Sequence, residues 1–220
     1  EKGLPARRGD LIEELKHAEP DSFHIITSFH VIEHLDAETL KTMFFHAHRA
    51  LVPHGLLILG TQNPENIYVG ANTFYIDPTH MKPIPPALLS FLGTFYEFNP
   101  AKIFRLQQNL LPSNAYTGLQ YAVFGSSPDY ALVGLRASDT PPPDSLSRAI
   151  HTQHGVSFAE AVERHDQLLS EKLHKLETQS AQQKEQIEYI QRQLDNVTNN
   201  SIVRSILAIV GALRGLGKNK

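Results

Sequence analysis

Three side chains that can bind metals or move protons lie within five residues of one another, directly after a short apolar segment. His30, Glu33 and His34 follow residues 23–27, and their spacing places them on one face of a helical turn. Imidazole and carboxylate groups arranged in this way can hold a divalent ion. The alternative is that Glu33 supports the loop while His34 hydrogen-bonds to a neighbouring strand.

Histidines in this chain are also candidates for proton transfer, because imidazole titrates near neutral pH. In a reaction without a metal, His30 or His80 is the general base, and Asp77 could orient the ring of His80. The alternative for residues 77–80 is a turn in which the aspartate binds backbone amides. The candidate catalytic residues are therefore His30, His80 and Asp77.

The elements around these residues predict an α/β unit. Residues 23–27 are continuously apolar, which suits a strand of a parallel sheet covered on both faces. Apolar residues at steps of three and four predict an amphipathic helix over residues 37–51, and a second buried strand follows at residues 56–60. Ligands bind beyond the carboxyl ends of such strands, where His30 and Asn63 lie.

Further elements extend this unit on both sides. The turn-rich stretch of residues 62–86 is typical of a binding loop. The other predicted elements are a strand at residues 4–8, a helix at 11–18, a helix at 87–93, strands at 102–107 and 130–136, and a long loop at 109–128.

The C-terminal third has a different composition. Residues 138–155 contain three consecutive prolines and predict a stiff linker. From residue 159 a heptad repeat predicts a coiled coil, with a solvated single helix as the alternative. Its a positions are Ala159, Asp166, Leu173, Ser180, Ile187 and Leu194, and its d positions are Val162, Leu169, Leu176, Gln183, Ile190 and Val197.

Residues 202–216 predict a short amphipathic helix with basic and no acidic residues, too short to span a bilayer. It could lie on an anionic membrane or dock on a protein partner, such as a glycosyltransferase complex. The chain has 220 residues, no cysteine and a net charge of -3. This balance disfavours nucleic-acid binding and excludes disulfides and a cysteine nucleophile.

The order of the motifs resembles the second half of a class I S-adenosylmethionine (SAM)-dependent methyltransferase domain. The matching segments are E-H-L at residues 33–35, L-V-P-H-G at 51–55 and N-P at 63–64. The stretch N-T-F-Y-I-D-P-T-H at 72–80 is similar to methyltransferases of bacterial surface polysaccharides, including O-antigen. The resemblance implies a truncated doubly wound, Rossmann-like sheet, followed here by the coiled-coil helix and the amphipathic helix.

This resemblance implies roles for further residues. Asp10 matches the carboxylate that contacts the cofactor's adenine and Leu11 the residue that packs on its ring, although Asp10 could equally be a helix N-cap. Ser28 and Phe29 match positions on the methionine side of the cofactor. Some relatives hold a divalent ion with E-x-x-E-H and a later histidine, to which His30, Glu33, His34 and His80 would correspond.

The chain also departs from the family. It contains no G-x-G-x-x-G loop, so we expect a fragment of a longer protein that alone binds SAM weakly and is inactive. The resemblance implies transfer of a methyl group to a hydroxyl of a surface glycan or its lipid-linked precursor. The alternatives are a non-catalytic coiled-coil scaffold and a small-molecule, quinone-type O-methyltransferase.

These expectations define four segments: a partial methyltransferase domain at residues 1–137, a linker at 138–155, a coiled coil at 156–199 and a basic tail at 200–220. The expected partners are a glycan or glycolipid acceptor and a second copy of the chain through the coiled coil. The expected location is the cytoplasm, with peripheral contact at the inner membrane as an option.

Overall fold

The structure, a computed structural model, describes residues 6–107 and 119–216 in two units, Glu1–His165 and Asp166–Lys220. Four strands and eight α-helices alternate through these residues, with short 3-10 turns at Ile32–His34 and Thr73–Ile76. The elements are α1 Leu11–His17, β1 Phe23–Phe29, α2 Ala37–Ala50, β2 Leu51–Gln62, α3 Ile67–Ala71, α4 Pro86–Phe95, β3 Phe98–Leu106, α5 Leu119–Phe124, β4 Asp129–Arg136, α6 Asp144–His151, α7 Phe158–Asn199 and α8 Ser201–Leu216.

The four strands form one mixed sheet in the order β1-β2-β4-β3. β1 and β2 are parallel, as the strand–helix–strand pattern predicts, and α2 is the crossover between them. β4 runs antiparallel to both β2 and β3, so the two predicted strands at 102–107 and 130–136 form a hairpin at one side of the sheet. The carboxyl ends of β1 and β2 therefore lie at the same edge as the start of β4.

Helix α2 forms where the apolar spacing predicts it. The Asp36 carboxylate caps its first turn by accepting from the Thr39 backbone N–H at 2.7 Å, and these hydrogen bonds lower the pKa of Asp36. Its side chains Leu40, Met43, Phe44, Ala47 and Ala50 are buried in the core. The following strand begins earlier than predicted, at Leu51, and His54 takes the left-handed conformation at φ 62°. A histidine in this position is uncommon but tolerated.

The two faces of β1 differ in burial. Ile26 packs into the core that α1, α2 and α4 form with the sheet. On the other face Phe23, Ile25 and Phe29 are 44%, 54% and 53% exposed. The expectation that this strand is covered on both faces is wrong for the described residues, because the described helices that pack on β1 all lie on the Ile26 side.

The first unit extends past the predicted end of the domain at residue 137. Helix α6 occupies part of the predicted linker, because Ile150 supplies an apolar anchor that is only 3% exposed. Val156 is also buried, and its backbone exchanges hydrogen bonds with Ser127 at 2.9 and 3.1 Å. Residues 6–8 of the predicted strand at 4–8 are not in a strand, and its residues 4 and 5 lie outside the described residues.

Helices α7 and α8 occupy the segments predicted to be helical near the C-terminus. The apolar heptad residues of α7 from Leu169 onward are 47–58% exposed within this single chain. The coiled coil itself stays a prediction. Among the described helices none is long and apolar enough to cross a membrane.

Candidate active site

The carboxyl ends of β1 and β2 bring candidate site residues to one edge of the sheet. Phe29 pairs with Gly60, and the His30 N–H donates to the Gly60 carbonyl at 2.9 Å. β2 ends at Gln62, which pairs with Asp129, the first residue of β4. His30, Asn63 and Asp129 therefore border the same edge.

His30 leaves the strand in a left-handed conformation, with φ at 53°. The chain then enters the 3-10 turn at Ile32–His34, which places the Glu33 carboxylate next to the His30 ring. His30 Nδ1 lies 3.2 Å from Glu33 Oε1, with side-chain exposures of 52% and 0%. An ionised carboxylate can only accept, so Nδ1 carries the proton and Nε2 is the basic nitrogen. The pair is a histidine oriented by a buried carboxylate, an arrangement suited to general base catalysis.

The turn at residues 77–80 forms around the Asp77 carboxylate. Its Oδ1 accepts from the Thr79 backbone N–H at 2.8 Å and from the Thr79 hydroxyl at 2.6 Å, and these two bonds hold the pKa of Asp77 below its usual value. Asp77 Oδ2 lies 4.0 Å from His80 Nε2, too far for a hydrogen bond. The hydrogen bonds of Asp77 therefore match the turn interpretation.

His80 is held by a different group. Its Nδ1 donates to the Phe74 carbonyl at 2.6 Å, and its side chain is only 7% exposed. Its ring contacts those of Phe74 and His34, with centroids 4.6 and 4.7 Å apart. His80 thus lies inside the loop that follows β2, whereas His30 lies at the surface of the site.

Asn63 and Asn66 fix the loop that follows β2. Asn63 Nδ2 donates to the Ser127 carbonyl and Asn66 Nδ2 to the Ser126 carbonyl, each at 2.7 Å. Both side chains are almost fully buried, and their oxygens accept from backbone N–H groups of Glu65 and Val69. The end of β2 is thereby tied to the segment that leads into β4.

Buried polar atoms without a hydrogen-bond partner collect at this edge within the described part of the chain. They are Ser28 Oγ, Glu33 Oε2, Thr61 Oγ1 and Gln62 Oε1. Buried polar groups are nearly always paired, so each such atom calls for a bound water, ion or ligand. Four of the seven such atoms among the described residues lie at the ends of β1 and β2 or in the turn after β1, so this edge is a candidate binding site.

Asp129 was missed by the sequence analysis. Burial raises the pKa of this carboxyl, Glu33 adds to the rise, and His30 opposes it, which places all three groups in one electrostatic neighbourhood. A carboxyl with a raised pKa beside other ionisable groups is typical of functional sites. The only sequence signal was its position immediately before the predicted strand at 130–136.

The four residues expected to contact the cofactor lie in two parts of the fold, the end of β1 and the start of α1. Ser28 and Phe29 lie at the end of β1, and the Phe29 ring packs over Gly60, where an added Cβ would lie 2.5 Å from Phe29 Cδ1. Asp10 is the N-cap of α1 and accepts from the backbone N–H groups of Ile12 and Glu13. Its side-chain hydrogen bonds with described residues stay within α1, and Leu11 packs against the core.

Tyr130 connects the sheet to the loop that carries His80. Its buried hydroxyl donates to the Ile84 carbonyl at 2.7 Å, and burial raises the pKa of Tyr130 far above its usual value. Y130F should lower the free energy of unfolding by about 1–3 kcal/mol, because a buried carbonyl loses its donor. Urea denaturation at neutral pH measures this loss.

The Tyr130 hydroxyl also predicts how the free energy of unfolding depends on pH. Above about pH 10 the unfolded tyrosine loses its proton while the folded one keeps it, so the wild-type free energy of unfolding falls as pH rises. Y130F lacks this contribution. The difference in free energy of unfolding between the wild-type protein and Y130F should therefore narrow between about pH 10 and 11. A constant gap would contradict the assignment.

A concave region lies at the opposite edge of the sheet. It is a cleft of about 430 Å³ near the start of β1 and the end of β4. Burial lowers the pKa of His48, which lines it, and Arg136 lowers it further. The amino ends of parallel strands are not where ligands bind in open α/β sheets, so this cleft is separate from the candidate site.

The structure resembles solved SAM-dependent methyltransferases. A SAM-dependent methyltransferase from Archaeoglobus fulgidus matches with a TM-score of 0.53 and 25% identity, over 62% of this chain and 69% of that chain. An O-methyltransferase family protein from Burkholderia thailandensis has a TM-score of 0.41 and 11% identity, over 61% of this chain and 36% of its own. Phosphoethanolamine N-methyltransferase 2 from Haemonchus contortus, solved with S-adenosyl-L-methionine, has a TM-score of 0.42 and 16% identity, over 59% of this chain and 36% of its own.

No family model and no curated protein matches the sequence. The chain spans only about a third of the second and third of these structures. The α/β fold, with a mixed four-stranded open sheet and a long C-terminal helix, agrees with a methyltransferase fold.

Proposed function

We propose that the full-length protein transfers a methyl group from SAM to a hydroxyl acceptor, with His30 as the general base and Glu33 as its positioning residue. The observation that carries the proposal is the His30–Glu33 pair at the carboxyl end of β1, 3.2 Å apart. Removal of the hydroxyl proton makes the acceptor oxygen a better nucleophile. His80 is less suited to the role, because its ring is buried among Phe74 and His34.

The residues at the end of β1 fit one side of the cofactor. Ser28 offers a buried hydroxyl without a partner among the described residues, on the same face of β1 as Ile26, and Phe29 offers a half-exposed ring on the opposite face. When bound, SAM supplies an activated methyl group, so the protein must mainly align the acceptor and take its proton. Asp10 and Leu11 would hold the adenine end, although the described contacts of Asp10 are those of a helix cap.

We propose a glycan, or its lipid-linked precursor, as the acceptor. Two neighbouring aromatic residues of the loop after β2 differ in exposure. Phe74 is 1% exposed and belongs to the interior, whereas Tyr75 is 61% exposed. An exposed tyrosine in this loop provides a flat surface on which a sugar ring can stack. This proposal rests on the sequence resemblance and on Tyr75.

The acceptor is tested with the full-length protein, labelled SAM and a panel of lipid-linked glycans and quinone precursors. Label in the glycan fraction supports the proposal. Label in quinones alone would replace it with the small-molecule alternative. No transfer to any acceptor, by protein that still self-associates, would favour the scaffold alternative.

We further propose that α7 pairs with a second copy of the chain. Its heptad repeat runs through most of the helix, and the apolar seam is exposed in the single chain. Burying such a seam against an identical helix is the usual way in which this pattern is stabilised.

Changes within the seam should therefore abolish self-association. I187D combined with I190D places two charges in the seam, whereas T178D combined with Q182D places two on the outer surface. Sedimentation should give monomers for the first variant and wild-type assemblies for the second. A monomeric wild-type protein would contradict the pairing.

A further inference from the structure

One face of the sheet carries a row of side chains along the carboxyl edge where the proposed base lies. Gln62 and Asp129 face each other in the pairing of β2 with β4, and Leu106 of β3 faces Asp129 from the other side. Side chains that face each other across antiparallel strands share one face of the sheet, with Cβ atoms about 4.5–5.5 Å apart. An amide and a carboxylate are therefore neighbours at this edge.

The row continues toward the proposed base. Gly60 lies two residues before Gln62 on the same face of β2, and the Phe29 ring packs over it. His30 follows Phe29 directly and donates its backbone N–H to the Gly60 carbonyl at 2.9 Å. Asp129 is close enough to His30 for the two side chains to interact electrostatically. Gln62 and Asp129 thus belong to the surroundings of the base.

Both polar side chains of this row can accept further hydrogen bonds. Gln62 Oε1 is buried and has no hydrogen-bond partner among the described residues. Asp129 accepts a hydrogen bond from the Gln107 side chain, and an ionised carboxylate offers about four lone-pair sites. A buried acceptor without a donor is costly. A ligand that brings donors to these two side chains is therefore stabilised at this edge.

The donors that fit this edge best are neutral hydroxyl groups. His30 becomes positively charged when it takes the proton of the acceptor, and an ammonium group of the ligand beside it would oppose that change. A nearby carboxylate such as Asp129 favours the change. A hydroxyl group donates a hydrogen bond without adding charge, so it satisfies Asp129 and leaves the base able to work.

We propose that Asp129, together with Gln62, is a specificity-determining residue that binds a hydroxyl adjacent to the one that is methylated. The acceptor is then a sugar with at least two neighbouring hydroxyls. One of them gives its proton to His30 and receives the methyl group, whereas the other donates a hydrogen bond to Asp129 and keeps its proton. This inference rests on the proposed function, because it takes His30 as the base and a glycan as the acceptor.

The test uses the full-length protein, labelled SAM, the glycan that the wild-type protein methylates, and synthetic forms of that glycan whose terminal sugar lacks one hydroxyl at a time. Besides the form that lacks the methylated hydroxyl itself, one deoxy form should have a kcat/KM lower by about 10–100-fold, the range expected for a hydrogen bond to a charged group. D129A should lower kcat/KM for the intact glycan by a similar factor and leave that of this deoxy form nearly unchanged. Such non-additive losses identify the hydroxyl and the carboxylate as partners.

D139A, a change at an exposed aspartate beyond the end of β4, is the matched control and should behave as the wild-type protein does. D129A should also keep the wild-type affinity for S-adenosylhomocysteine in calorimetry, because Asp129 acts on the acceptor. If D129A loses its native circular dichroism, D129N, which keeps the shape of the side chain, takes its place.

Two results would overturn the inference, and they can be told apart. Equal losses in D129A for the intact glycan and for every deoxy form, with methyl transfer by the wild-type protein intact, would remove the role of Asp129 alone. Absence of transfer to any glycan by the wild-type protein would remove the proposed acceptor and this inference together.

Discussion

H30A in the full-length protein should lower the turnover number for methyl transfer by about 10²–10⁴-fold, the range expected when a positioned general base is removed. His30 lies on the surface of the site and donates to Glu33 at 3.2 Å, so its basic nitrogen is available to an acceptor hydroxyl. The affinity for S-adenosylhomocysteine should change little, since the imidazole acts on the acceptor. Initial rates and calorimetry measure the two effects separately.

H24A is the matched control for this experiment. His24 is an exposed histidine of the same strand, at its opposite end, and its removal should leave both turnover and cofactor affinity unchanged. The base assignment fails if H30A keeps wild-type turnover. It also fails if H30A loses turnover only through a parallel loss of cofactor affinity, because that pattern belongs to a binding residue.

F44A should lower the free energy of unfolding by about 3–5 kcal/mol, the usual result of removing a buried aromatic side chain. Phe44 is fully buried on the inner side of α2, and its ring contacts those of Tyr96 and Phe98, with centroids 5.7 and 6.1 Å apart. These contacts join α2 to Tyr96, the C-cap of α4, and to Phe98, the first residue of β3. Urea denaturation followed by circular dichroism measures the loss.

The neighbouring residue provides the control. Phe45 is the same residue type in the same helix, but it is 57% exposed. F45A should change the free energy of unfolding by no more than about 0.5 kcal/mol, as exposed substitutions usually do. Similar losses in the two variants would mean that the burial described for α2 is incorrect.

The central αβ unit could be predicted from the sequence because local signals agreed there. The apolar spacing of Leu40, Met43, Phe44 and Ala47 matches the buried side of α2, and the parallel pairing of β1 with β2 followed from the strand–helix–strand order. Helix α6 was missed, because three prolines dominated the interpretation of residues 138–155. Its short apolar pattern becomes meaningful only when Ile150 has a core to enter.

The candidate site could be predicted only in part. Local spacing predicts that His30, Glu33 and His34 lie together. The structure brings His30 to Glu33, whereas the group of potential metal ligands is Glu33, His34 and His80, without His30. Asp129 reaches the same edge only because β4 inserts beside β2 in an antiparallel direction, a long-range pairing that spacing does not reveal. The hydrogen bonds of His34 and His80 likewise depend on the fold of the loop after β2.

The position of β1 has a practical consequence for handling the protein. Among the described strands β1 is the outermost, and its Phe23, Ile25 and Phe29 side chains are about half exposed. An exposed apolar strand at a sheet margin invites addition of strands from other molecules. This margin can therefore receive a further strand, either from the rest of a longer protein or from another molecule, and a lysine at position 25 should discourage pairing between molecules.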